Sequence, residues 1–258
     1  MTAELTISGR PIEAMDADEA RIRRDLAACY RLVALYGWDD LVATHISARV
    51  PGEGEQFLIN PFGMLFEEVT ASSLVKINSE GDILAPTPHQ VNAAGFTIHS
   101  AVHMAREDAG CVIHLHSRDG VAVSMLEEGL LPLNQTAMTI APDIAFHEYE
   151  GAALDLDERE RLQADLGTRN LMLLRNHGTL TLGRSVAEAF TRCYFLEMSC
   201  TMQIRAMSTG RPLHHADPEV VAKTGNALKG DSIDRFSRGL VWPALLRKLD
   251  RIDPSYAD

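Results

Sequence analysis

Two periods run through the apolar positions of this chain, and each predicts its own kind of element. A period near 3.6 marks helices. Over 16–36, Leu26, Tyr30, Val33 and Leu35 fall near one stripe, Asp16 or Asp18 can cap the start, and Gly37 ends the run. Further helices are predicted over 92–107, 117–127, 157–167, 185–208, 220–228 and 242–249. Ser185, with Glu188 three residues on, has the spacing of a capping box. Pro243 stands where a first helical turn accepts proline. A period of two, or a short apolar run between turn residues, marks strands at 44–50, 57–59, 76–78, 111–116, 146–149 and 171–175. These elements do not alternate as regular βαβ units, so the pattern predicts a mixed or antiparallel sheet flanked by helices. No Gly-x-Gly-x-x-Gly follows a strand and no phosphate-loop motif occurs, which argues against a doubly wound nucleotide fold.

Composition narrows the picture. The chain has 258 residues, 46% hydrophobic and 23% charged, enough for a full core. Nothing linker-like divides it, so one domain is expected. The formal net charge is −12, and no basic stripe offsets it, so nucleic acid is not an expected partner. Cys29, Cys111, Cys193 and Cys200 form no C-x-x-C pair and read as reduced, buried thiols. The first fifteen residues lack the basic start and apolar run of a signal peptide. No apolar run approaches the ~18 residues of a membrane span. The cytoplasm is the expected location, without membrane contact, and 1–14 is expected to be a loose arm.

The candidate chemistry sits on the strand at 111–116. Cys-Val-Ile-His-Leu-His runs from apolar residues into two histidines one residue apart. Residues i and i+2 of a strand share a face, about 7 Å apart, so His114 and His116 can converge on one cation. A second apolar strand leads into Arg175-Asn176-His177-Gly178 and offers a third imidazole. His114, His116 and His177 are therefore the expected metal ligands. Three imidazoles leave an open coordination position, as catalytic sites require. The set suits a divalent metal, zinc first, with iron, manganese or cobalt open.

With those motifs in view, the chain resembles the class II aldolase/adducin family, most closely its adducin-head branch. The supporting segments include Thr44–Arg49, Leu58–Phe66, Thr70–Ile77, Ala94–Ala101 and Gly129–Pro132. The resemblance implies an α/β/α fold with a mostly antiparallel central sheet. It implies a family domain over 25–210, preceded by an arm and helix start (1–24). A C-terminal segment (211–258) then packs on the domain or on a neighbouring subunit. It further implies a homotetramer with sites at subunit interfaces and a small-molecule substrate.

The resemblance also carries a departure. The family's aldolases move a proton with a Glu in a Pro-Ser-Ser-Glu type segment, where this chain has Gly95, with Ala93 and Ala94 at the two serines. The family's Gly-Asn phosphate loop falls near Thr44 and His45. The expected substrate is therefore non-phosphorylated, and another group must move the proton. His99, one helical turn from Gly95, and His45 are the candidates, because histidine titrates near neutrality. His103 is expected to be an ordinary surface or interface residue. Phe62 and Gly63, in the tight Asn60–Gly63 loop, and Arg247, as an anion contact, are candidate substrate residues.

Together these readings predict a metal-dependent carbon–carbon lyase, aldolase-type or decarboxylase. It would act on a small carbonyl or hydroxy acid through a metal-stabilised enolate. Two alternatives stand beside it: a non-catalytic, adducin-head-like oligomerisation module, and an Fe(II)-dependent oxygenase.

Overall fold

The computed structural model describes residues 6–7, 10–11, 17–52, 54–151, 157–225 and 230–258, with backbone alone at 6–7, 10–11, 17 and 93–96. Of the expected N-terminal arm, only strands β1 (Thr6–Ile7) and β2 (Arg10–Pro11) are described, and they pair with each other. Asp16 lies outside the described residues. Asp18 lies inside the first turn of α1 (Ala17–Tyr36) and bonds to Arg21 at 3.1 Å.

The core is a seven-stranded sheet. Its strands are β3 (His45–Val50), β4 (Gln56–Ile59), β5 (Val75–Asn78), β6 (Cys111–Leu115), β7 (Ile144–His147), β8 (Leu171–Leu174) and β9 (Gly178–Gly183). They lie in the order β5-β4-β3-β6-β9-β8-β7, antiparallel except for β7 with β8. The period-two residues divide between the faces as expected. Cys111, Ile113 and Leu115 join Ile46, Ala48 and Leu58 against α1 and against α6 (Val186–Met207). Val112, Leu180 and Leu182 pack on the other face against α2 (Ala93–Ala105) and α5 (Glu158–Leu166). Two helix layers thus enclose a mostly antiparallel sheet, the α/β/α architecture expected.

Smaller helices fill the margins. α3 (Arg118–Ser124) and α4 (Gln135–Ile140) join β7, β8 and the C-terminal half of α6 in a second cluster. α7 (Pro218–Gly225) covers the start of the helix expected at 220–228, whose last three residues lie outside the described ones. α8 (Asp231–Phe236) precedes α9 (Trp242–Ile252), in which Trp242 and Leu249 enter the main core and Trp242 Nε1 donates to Asp25 at 2.8 Å. All four cysteines are buried and free. Among the described residues no helix is long and apolar enough to cross a membrane.

Candidate metal centre

The site forms where β6 ends beside the loop between β8 and β9. His114 is the fourth residue of β6 and His116 follows the strand, so their rings share the face turned towards α2. β8 and β9 form a tight hairpin, with Leu174 paired to Gly178. Its turn places Asn176 at φ +57, a left-handed conformation that asparagine tolerates better than most residues. That turn carries His177 back towards β6. The three ring centroids are mutually 4.8 Å apart, and the ligand atoms lie within 4.8 Å of one another.

Hydrogen bonds set the tautomers. His114 Nδ1 lies 3.0 Å from the Thr179 carbonyl, which can only accept, so Nδ1 carries the proton and Nε2 is a bare lone pair. His116 Nδ1 lies 3.1 Å from Asp40 Oδ2 and donates by the same logic. With His116 in its neutral form, the two bare Nε2 atoms face each other at 3.1 Å. Two lone pairs at that distance repel unless a cation lies between them, so this donor set fits a metal ion. Burial first, then the neighbouring imidazoles, pushes His114 well below its ordinary range. The same two causes bring His177 down to about 4. Both rings are neutral near pH 7, as ligation requires. The carbonyl behind His114 and the carboxylate behind His116 are the kind of outer partner that fixes ligand orientation.

Glycine is needed at the strand crossing. A Cβ on Gly178 would lie 2.3 Å from the Leu115 carbonyl oxygen and 3.2 Å from His116 Cδ2. Only glycine lets β9 pass this close beneath the ligands.

The other candidates form a second imidazole cluster behind the first. His45 pairs with His114 across β3 and β6, and the two rings lie 6.0 Å apart. Its Nε2 is 3.2 Å from the Asn92 amide, while Nδ1 is buried without a partner among the described residues. Burial, then His116 and His177, brings it down to about 4. His99 is one layer deeper, its ring 5.7 Å from that of His45, with Nδ1 2.6 Å from Ser47 Oγ. His103, expected at the surface, is buried: its ring stacks on Phe57 at 4.5 Å, because that face of α2 lies against the sheet. His103 Nδ1 donates to the Ala109 carbonyl at 2.9 Å, so Nε2 accepts from Ser47 Oγ at 2.7 Å. Ser47 Oγ in turn accepts from His99, and the chain of donors has one direction.

An open hollow beside the ligands is lined by Asp40, His116, Arg118, Val121, Tyr149, Asn176 and His177. Arg118 makes no ion pair among the described residues. Tyr149 is exposed, its ring 5.9 Å from that of His177. Phe62 is half exposed, Gly63 adopts φ +89, and Arg247 lies exposed on α9. None of these three lines the hollow of the single chain. Gly95 sits in the backbone-only part of α2. Sequence reasoning missed Asp40 and Arg118, since an isolated Asp or Arg in a loop or first helical turn carries no pattern.

Known proteins resemble this chain in sequence and in fold. The family model described as "Class II Aldolase and Adducin N-terminal domain" matches residues 24–204. A protein of Caulobacter vibrioides, provisionally named as a class 2 aldolase, is 53% identical over 254 residues, covering 98% of this chain and 97% of its own length. Mouse alpha-adducin is 47% identical over 203 residues, 77% of this chain but 28% of its own length. The solved L-fuculose 1-phosphate aldolase from Glaciozyma antarctica superposes with a TM-score of 0.81 at 28% identity, covering 95% of this chain and 94% of its own. By fold, by sequence and by the match over most of its length, this chain belongs to the class II aldolase and adducin family.

Proposed function

We propose that this chain is a metal-dependent carbon–carbon lyase, an aldolase or decarboxylase, for a small non-phosphorylated carbonyl or hydroxy acid. The observation that carries the reading is the convergence of three imidazoles, two with their metal-facing nitrogens left bare, beside an open hollow. His114, His116 and His177 would hold a divalent cation, zinc before iron, manganese or cobalt. Such an ion supplies Lewis acidity to a substrate oxygen.

The remaining roles fall to the protein's own groups. His45 is neutral and next to the ligand set, in the form that accepts a proton. We assign it the proton transfer that Gly95 cannot perform, with Asn92 Nδ2 donating to Nε2 and the Nδ1 proton left for exchange. His99 then backs His45 as a positioning group. Arg118, a cation without an ion pair among the described residues, suits a substrate carboxylate. Phe62, Gly63 and Arg247 belong to this reading only through a neighbouring subunit of a homotetramer, at work in the cytoplasm.

The test is bound metal in protein purified without chelators, followed by a cleavage and decarboxylation screen over 2-oxo and 3-hydroxy acids and their neutral ketone analogues. We expect about one metal per chain, turnover of acids over neutral analogues, and loss of both metal and turnover in His114→Ala with the fold retained. A metal-free wild type contradicts the reading. It would favour the second one, an adducin-head-like interaction module, which the 47% identity to alpha-adducin supports. Turnover of neutral ketones equal to that of acids removes Arg118 from its role.

A further inference from the structure

Glu197 lies in the middle of α6, on the sheet face opposite the histidines, and is 1% exposed. It interrupts an otherwise apolar stripe, with Cys193 and Cys200 one turn to either side, both fully buried. Thr179 Oγ1 donates to its Oε1 at 2.7 Å, and Ser117 Oγ donates to its Oε2. Each hydroxyl belongs to a residue that serves the ligand set. The carbonyl of Thr179 holds His114 Nδ1. Ser117 follows His116 directly and caps α3 by accepting from the Gly120 amide at 3.1 Å. α3 is seated against the carboxyl so closely that a Cβ on Gly120 would lie 3.1 Å from Oε2.

Both carboxyl oxygens of Glu197 are taken by hydroxyls, and it makes no ion pair among the described residues. Burying an unpaired charge is costly. Burial accordingly pushes the group up to about 7, against the pull of the two hydroxyls. A brace between α6, α3 and β9 needs no charge, because glutamine of the same shape can pair with both hydroxyls. A cation held by the histidines gives the charge a purpose, since attraction through a low-dielectric interior is weakly screened.

We propose that Glu197 is the countercharge of the histidine centre and, through Thr179 and Ser117, the positioning residue for His114 and His116. This inference rests on the metal reading above. The carboxylate would favour the loaded state electrostatically. Its hold on Thr179 would keep the β9 carbonyl aimed at His114 Nδ1, and with it the tautomer that leaves Nε2 bare.

The experiment titrates Co2+ into the full chain, read by its visible ligand-field bands, and Zn2+ in competition with a chelator, for wild type and Glu197→Gln. Thermal melting of both metal-free proteins reports the brace. We expect Glu197→Gln to melt no lower than wild type, to bind either metal about tenfold or more weakly, and to shift the Co2+ bands. Affinity within twofold of wild type with unshifted bands overturns the inference and leaves the metal reading standing. A wild type that binds neither metal overturns both. If Glu197→Gln fails to fold, Thr179→Val decides. It keeps the carbonyl on His114 but removes one hydroxyl from Glu197, and unchanged metal affinity in it overturns the inference.

Discussion

Gly178→Ala is expected to cost roughly 3 kcal/mol of stability, because an added methyl meets structure that cannot step aside. Its Cβ would sit 2.3 Å from the Leu115 carbonyl oxygen and 3.3 Å from that carbonyl's carbon, at the end of the β6–β9 ladder, one residue beyond the Leu115–Thr179 pair. The other near neighbour, His116, is held from behind by Asp40. Relief requires β6 and β9 to part, and that moves Leu115, His116 and the Thr179 carbonyl together. Thermal unfolding should fall by about 6–12 °C for a chain of this size, and zinc affinity should fall with it. Gly239, where an added Cβ meets nothing within 4 Å, is the control and should accept alanine unharmed. An unchanged melting temperature in Gly178→Ala would show that the crossing is not close-packed.

The buried histidines should destabilise the metal-free protein as pH falls from 7 to 5, opposed by Glu197, whose carboxyl is raised to about 7 by burial and which takes up a proton over the same range. His103 is buried, and burial first, then the cation of Arg49, brings it down to about 3 from an ordinary 6.5. The folded chain therefore binds fewer protons than the unfolded one between those values. The stabilising contribution is complete above pH 6.5 and is lost progressively as pH falls towards 3. At pH 5 the loss from His103 alone is about 2 kcal/mol. His45, His99 and His114 are shifted the same way, each first by burial, and add to it. Urea midpoints at pH 7 and pH 5 measure the effect, and His103→Asn should reduce it. Equal stability at the two pH values would contradict the buried, neutral state of these rings.

What the sequence made legible is what local chemistry writes into it. The period-two run ending in His114 and His116 became β6, and Asn176-His177-Gly178 became the hairpin turn that returns a third ring. Ser185 caps α6 as its spacing implied, accepting from the Glu188 amide at 3.2 Å. The side chain of Glu188 departs from the reciprocal half of that motif and accepts from the amide of Arg184 instead. β9 went unread although Gly-Thr-Leu-Thr-Leu-Gly alternates, because glycines at both ends look like turn residues. Here they are close-approach positions: a Cβ on Gly183 would lie 2.5 Å from the Ala189 amide nitrogen. α4 and α8 are too short for a period to show.

The outer partners of the site were hidden for a different reason. Asp40 and Glu197 reach the site across 76 and 80 residues, to His116 and Ser117, and only the folded sheet sets them there. Glu197 did leave one trace, a carboxyl on the otherwise apolar Cys193–Cys200 stripe of a buried helix face. His103, expected at a surface or an interface, is instead covered by Ser47 of β3 and Phe57 of β4.

The most direct test of the central claim is the X-ray absorption spectrum of the zinc-loaded full chain. Three imidazoles should dominate the first shell, with nitrogen or oxygen at about 2.0–2.1 Å and no sulfur, and one imidazole should disappear in His177→Ala. A shell containing sulfur, or one unchanged by removing His177, would contradict a centre built from His114, His116 and His177.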